Sequence, residues 1–76
     1  MNGVETFRYR QLMQRAKALE AGGEREALLL VLPELQQLHD QHYETHIWYL
    51  EDKFGETWET RQHHEESEWL RRVKGR

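Results

Sequence analysis

Seventy-six residues carrying a net charge of −3, a third of them charged and none of them cysteine, describe one small polar domain with a thin core. A chain this short buries a modest share of its surface. With disulfides and thiolate metal sites excluded, the missing stability has to come from tight helix packing, a histidine or carboxylate metal site, or a partner subunit. The longest apolar run, from Ala27 to Leu32, falls far short of the about 20 residues that span a bilayer. The opening residues lack a basic and an apolar leader region, and the cysteine-free composition fits the cytoplasm.

The first helix is expected over about residues 3–21. Asn2 followed three residues later by Glu5 reads as a capping-box start. Tyr9, Leu12, Met13, Ala16 and Leu19 recur at helical spacing and form one apolar face. Phe7 falls on the opposite side of that wheel and is expected to cover a neighbouring helix end; a second contact surface is the alternative. Gly22-Gly23 closes the helix, because glycine adopts the left-handed terminal conformation without a Cβ penalty.

The second helix is expected over residues 24–54, with acids in its first turn favouring the positive end of the helix dipole. Pro33 either ends a short helix or kinks a long one. Leucines on both sides of it keep one phase, so a kinked continuous helix is expected. Leu28, Leu32, Leu35, His39, His42, His46 and Tyr49 are spaced 4-3-4-3-4-3, the spacing of a heptad seam. Tyr43, Ile47, Leu50 and Phe54 form a second apolar edge beside it. Acids and amides fill the opposite face, and Trp48 projects among them.

Gly55 is either a tolerated interior glycine or a stop. Thr57 is placed to cap a third helix over residues 57–73, whose narrow stripe is Trp58, Gln62, Glu65, Trp69 and Val73, with Leu70 to one side. A basic tail, residues 71–76, follows. If Gly55 does not break the chain, the last two helices become a rod of roughly 60 Å at about 1.5 Å per residue, which requires a partner chain. The fold expected is all-α: a single domain over residues 1–76, built as a small three-helix bundle or helical hairpin and completed by dimerisation.

Catalytic machinery is not legible. Ser67 is the only serine, lies in a charged helical run and is expected to be a solvated hydroxyl. No nucleophile elbow, phosphate loop, dinucleotide fingerprint or zinc-protease motif is present, so neither an enzyme nor an organic cofactor is expected. The histidines carry more information. His39, His42 and His46 lie within one sector of the helical wheel, and pairs at i,i+3 or i,i+4 can chelate one metal ion from a single helix face. All three cannot reach one ion, since His39 and His46 stand about two turns apart. A further ligand would come from His63, His64, Glu65 or a second chain. A polar seam of hydrogen-bonded imidazoles is the favoured reading; metal binding or pH sensing is the alternative.

Charge is unevenly distributed. Residues 1–25 hold five bases and three acids, residues 26–70 hold eleven acids and two bases, and the last six residues hold four bases. A centre this acidic repels phosphates, which puts nucleic-acid binding third among the functional readings, and the chain lacks the basic amphipathic helix of a membrane-surface protein. Three tryptophans are many for this length. Trp58 and Trp69 suit core packing first, whereas Trp48 among acids is the best single candidate for an intermolecular contact. The candidate partner interface comprises Trp48, Glu44, Glu51, Phe7, Trp58 and Trp69. The leading expectation is a non-enzymatic helical protein–protein interaction module, a small regulator or inhibitor of a larger protein that also forms a homodimer.

Overall fold

A computed structural model describes the backbone of residues 3–75 and the side chains of residues 5–75. The capping role expected of Asn2 lies outside the described residues. Helix α1 (Gly3–Ala21) is followed by α2 (Arg25–His42), a π-helical turn (Tyr43–Ile47), α3 (Trp48–Phe54) and α4 (Trp58–Lys74). The chain is all-α, with no strand among the described residues.

Local chemistry sets each boundary. At the end of α1, Gly23 takes φ 72° while the Glu24 amide donates to the Leu19 carbonyl and the Gly23 amide to that of Glu20. This paired closure satisfies two carbonyls that the helix leaves without partners. Helix α2 continues through Pro33, and both Pro33 and Leu29 are exposed, so the carbonyl that loses its proline partner remains reachable by water. Gly55 is a stop: at φ 71° and ψ −139° it occupies a conformation favouring glycine and turns the chain away from α3. Thr57 then caps α4 as the sequence predicts, exchanging side-chain and backbone hydrogen bonds with Thr60. The long rod is therefore ruled out, and the principal extents are 39 × 24 × 16 Å.

Side-chain pairings give the helix directions. Arg8 near the start of α1 pairs with Glu34 of α2 at 2.9 Å, making α1 and α2 an antiparallel hairpin. Glu59 at the start of α4 meets His46 at 2.8 Å, while Lys74 at its end donates to Gln36. Helix α4 thus runs antiparallel to α2 and parallel to α1. Tyr9, Leu12, Met13 and Ala16 of α1, Leu28, Leu32 and Leu35 of α2, and Leu70 and Val73 of α4 form the core, with Leu19, Val31, Leu38 and Trp69 packed on it. Each fully buried leucine contributes roughly 1.5–3 kcal/mol.

Two of the sequence's periodicities shift phase. The seam Leu28, Leu32, Leu35, His39, His42 is buried as expected, but the next interior residue is Ile47 rather than His46, and Tyr49 is exposed. The cause is the π-helical turn, which inserts one extra residue into the helical repeat and moves the following register by about 100°. In α4 the buried residues are Thr60, His63, Glu66, Leu70 and Val73, so the stripe running through Trp58, Gln62 and Glu65 is not the inward face. Three of the five inward residues are polar, which hides the face from a hydrophobic count: His63 and Glu66 find their company on α2 and α1, and Thr60 bonds to the Thr57 cap.

Candidate functional site

A polar layer crosses the middle of the bundle. Tyr9 enters from α1, His39 and His42 from α2, and His63 and Glu66 from α4; all five are buried. The Tyr9 hydroxyl donates to Glu66 Oε1 at 2.7 Å and stands 2.7 Å from His39 Nδ1. Arg10, half-buried, donates to Glu66 Oε2 at 2.8 Å, and its guanidinium lies over the Tyr9 ring. On the other side of His39, Nε2 is 2.7 Å from Ser67 Oγ. The His39 and His63 rings stack, 3.8 Å between centroids and 1° from parallel.

Proton accounting fixes the roles. Glu66, in its ion pair with Arg10, is a carboxylate and only accepts, so Tyr9 gives it its single proton. His39 Nδ1 then donates to the Tyr9 oxygen, and its Nε2 is left to accept from Ser67. Ser67 Oγ also lies 3.1 Å from the His63 carbonyl, so its one proton has two acceptors within reach. Burial is the main cause of the shifted acidities. It pushes the Tyr9 hydroxyl far up, with the Glu66 charge adding to the effect. Burial also holds His39 below the usual imidazole value. It pushes His42 down to about 4, helped by Arg10 and His46, and His63 to about 3, helped by His39 and His42. The three imidazoles are therefore uncharged at neutral pH.

Two atoms of this layer have no hydrogen-bond partner: Nδ1 of His42 and Nδ1 of His63. Each residue is more than nine-tenths buried. A buried, unsatisfied nitrogen costs about 1–3 kcal/mol.

The structure separates the three histidines of the α2 stripe. His39 and His42 join the buried layer, whereas His46 is half-exposed and turned toward Glu59. His39 is instead brought together with His63 and Glu66, whose potential ligand atoms all lie within 4.8 Å of one another. His64 is exposed, 3.5 Å from Glu51, and Glu65 is exposed as well. Glu66, the hydroxyl of Tyr9 and Ser67 are the participants the sequence reading missed. Ser67 is not the solvated hydroxyl expected of it, because the inward phase of α4 turns it toward His39. The available signal was a pair of i,i+3 spacings, His39–His42 and His63–Glu66, on two helices that a bundle must place face to face.

The far end of the bundle is built differently. Trp48 is 58 % exposed, Trp58 71 %, Phe7 65 % and Phe54 67 %. The expected covering role of Phe7 is thus absent. Glu44 is exposed and Glu51 half-buried, while Trp69 is half-buried against the core with Lys17 over its ring. One groove between α2 and α4 is lined by His39, Asp40, Glu44, His63 and Ser67; another, lined by Thr6, Arg10, His42, His46, Trp58 and Glu59, opens on the opposite side of the layer. Compared with known proteins, the chain matches no family model, no curated protein and no solved structure.

Proposed function

We propose that the protein is a non-enzymatic helical interaction module of the cytoplasm, a small regulator or inhibitor that grips a larger protein through the aromatic end of its bundle. The observation that carries the reading is the exposure of Trp48 within a ring of acids. On a helix the neighbours of a residue stand three and four positions away. For Trp48 these include Glu44, Glu51 and Asp52. Exposed large aromatics on a chain this small mark a contact surface, and an indole anchors such contacts well. The surrounding carboxylates specify the partner's chemistry: an apolar socket rimmed by lysine and arginine.

The test is capture of binding proteins on the immobilised full chain, with Trp48→Ala and the charge reversal Glu44→Lys as paired controls matched for helicity. A partner with a basic surface, lost in both variants and weakened by salt, is the expected result. Identical captured sets for wild type and Trp48→Ala overturn the reading. Sedimentation of the same proteins addresses the homodimer: a dimer that dissociates on Trp48→Ala substitution makes a second copy the occupant of this surface and displaces the basic partner.

A further inference from the structure

We infer that His39, His63 and Glu66 form a binding site for one divalent transition-metal ion of the zinc class, with His42 placed to complete it. The inference rests on the buried layer and is independent of the aromatic surface. Two imidazole nitrogens and a carboxylate oxygen are a donor set suited to zinc, cobalt or nickel, and too nitrogen-rich for calcium or magnesium. Each of the three residues offers one ligand atom, all lie within 4.8 Å of one another, and all three residues are buried. They come from facing helices, in i,i+3 pairs that each carry two potential ligands: His39 and His42 on α2, His63 and Glu66 on α4. Inward-facing pairs of this spacing are how helical bundles assemble metal sites.

The second observation is the pair of orphaned nitrogens. A polar core has no use for a buried imidazole whose Nδ1 meets nothing, yet His63 and His42 both present one. A metal ion supplies the missing partner. His63 now stacks flat on His39, and parallel rings do not aim their lone pairs at one point. Rotation of the His63 ring brings the two into convergence, and its Nδ1 has no hydrogen bond to lose in the process. The His42 ring centre lies 5.7 Å from that of His63, within reach of the same ion. Supporting contacts are already in place. Arg10 holds Glu66 Oε2 and so leaves Oε1 to turn from Tyr9 to the metal. The Tyr9 oxygen keeps the Nδ1 proton of His39 and orients the ring, while His39 Nε2 ligates by exchanging Ser67 for the ion, the Ser67 proton having the His63 carbonyl as its other acceptor. The groove between α2 and α4 supplies the access route: His39 and His63 line it, with Asp40 and Glu44 on the same wall to attract a cation.

Titration of the metal-free full chain with zinc chloride, followed by thermal unfolding, tests the site. Cobalt chloride as a second probe reports geometry through its visible absorption bands. The expected result is one ion per chain, a rise of several degrees in Tm, and cobalt bands of a low-coordinate nitrogen–oxygen site. Glu66→Gln and His63→Gln abolish these effects; His46→Ala and His64→Ala, which remove exposed histidines, leave them intact. Proton NMR of the wild type gives a readout that needs no variant to fold: zinc shifts the ring signals of His39 and His63 and spares those of His64. An unchanged Tm and a cobalt spectrum of the free aquo ion overturn the inference. So does zinc stabilisation that survives in folded His63→Gln but disappears in His46→Ala or His64→Ala, which assigns the binding to the surface.

Discussion

Ile47 offers the sharpest test of how this chain is packed. A heptad reading of the second helix places His46 and Tyr49 inside and Ile47 beside the seam. The π-helical turn reverses that order and leaves Ile47 with no exposed surface. Replacing it with alanine deletes three carbons from a closed site, and the transfer loss and residual cavity together cost about 2–4 kcal/mol. A chain of this size has a total stability of roughly 4–11 kcal/mol, at ~0.05–0.15 kcal/mol per residue. The substitution therefore removes a large fraction of it and lowers Tm by at least about 10 °C. Tyr49→Ala, at a half-exposed position, costs no more than about 0.5 kcal/mol. Urea unfolding followed by helical circular dichroism compares the two on one scale. If Tyr49→Ala proves as costly as Ile47→Ala, or Ile47→Ala costs less than about 1 kcal/mol, the register drawn through the π-turn is wrong.

Deleting Glu44, an exposed residue of the π-turn, restores an unbroken α-helix in which Ile47 follows His42 by four positions. This protein should unfold close to the wild-type urea midpoint, whereas deletion of Gln37 in the regular part of α2 should abolish cooperative unfolding. Tyr9→Phe strips Glu66 Oε1 and His39 Nδ1 of a shared partner and lowers stability by about 2–3 kcal/mol in denaturant titrations, since one of the stranded groups is charged. With a chelator present, stability falls on mild acidification. His42 and His63 have folded values of about 4 and about 3, below the ordinary 6.5, so their contribution is complete above 6.5 and is lost as pH falls toward the folded values. The loss reaches roughly 2 kcal/mol for each by about pH 5, and a flat profile of unfolding free energy from pH 7.5 to 5 would contradict the burial of these rings. Gly55→Ala places a Cβ at φ 71° and costs about 1–3 kcal/mol by thermal melt, although the space around Gly55 is open.

Most of the scaffold was legible in the sequence because its signals are local. The α1 face from Tyr9 to Leu19, the Gly22-Gly23 closure and the Thr57 cap each depend on residues a few positions apart, and each stands where the pattern puts it. What the pattern misplaced lies wherever one helix answers another. The inward face of α4 is Thr60, His63, Glu66, Leu70 and Val73, and its polar half carries no apolar signature. The hydrogen-bond partners that hold Glu66 in the interior, Tyr9 and Arg10, are more than fifty positions away in sequence. The π-turn was invisible for a similar reason. Nothing in the Tyr43–Ile47 segment marks an extra residue, and the fit of Ile47 against the other helices is what selects it. Of the histidine stripe, His39 and His42 enter the buried polar layer, whereas His46 stays outside it. Of the further ligands the sequence offered, His63, His64 and Glu65, only His63 stands beside His39; Tyr9 and Ser67, its hydrogen-bond partners, come from α1 and α4.

The bundle divides into three layers along its axis, and the division argues for how the parts work together. At one end Leu12, Met13, Ala16, Leu28, Leu32, Leu35, Leu70 and Val73 make an apolar core that holds the helices in register. In the middle, Tyr9, His39, His42, His63 and Glu66 replace that core with polar groups, two of them unsatisfied at a nitrogen. Beyond this layer lie the π-turn, the short α3 and the exposed Trp48, Phe54 and Trp58. The histidine layer and Ile47 therefore lie between the apolar core and the aromatic end. Any ligand that draws His39, His63 and Glu66 together stiffens the junction between α2 and α4 on which Trp48 and Trp58 are carried. If both proposals hold, metal should raise partner affinity by preorganising the indoles, because side chains already fixed in the free state lose less entropy on binding. Linkage requires the converse as well, so the partner should tighten the hold on zinc by the same factor. Zinc titrations with and without bound partner measure that coupling, and equal zinc affinities in the two states would leave the layers mechanically independent.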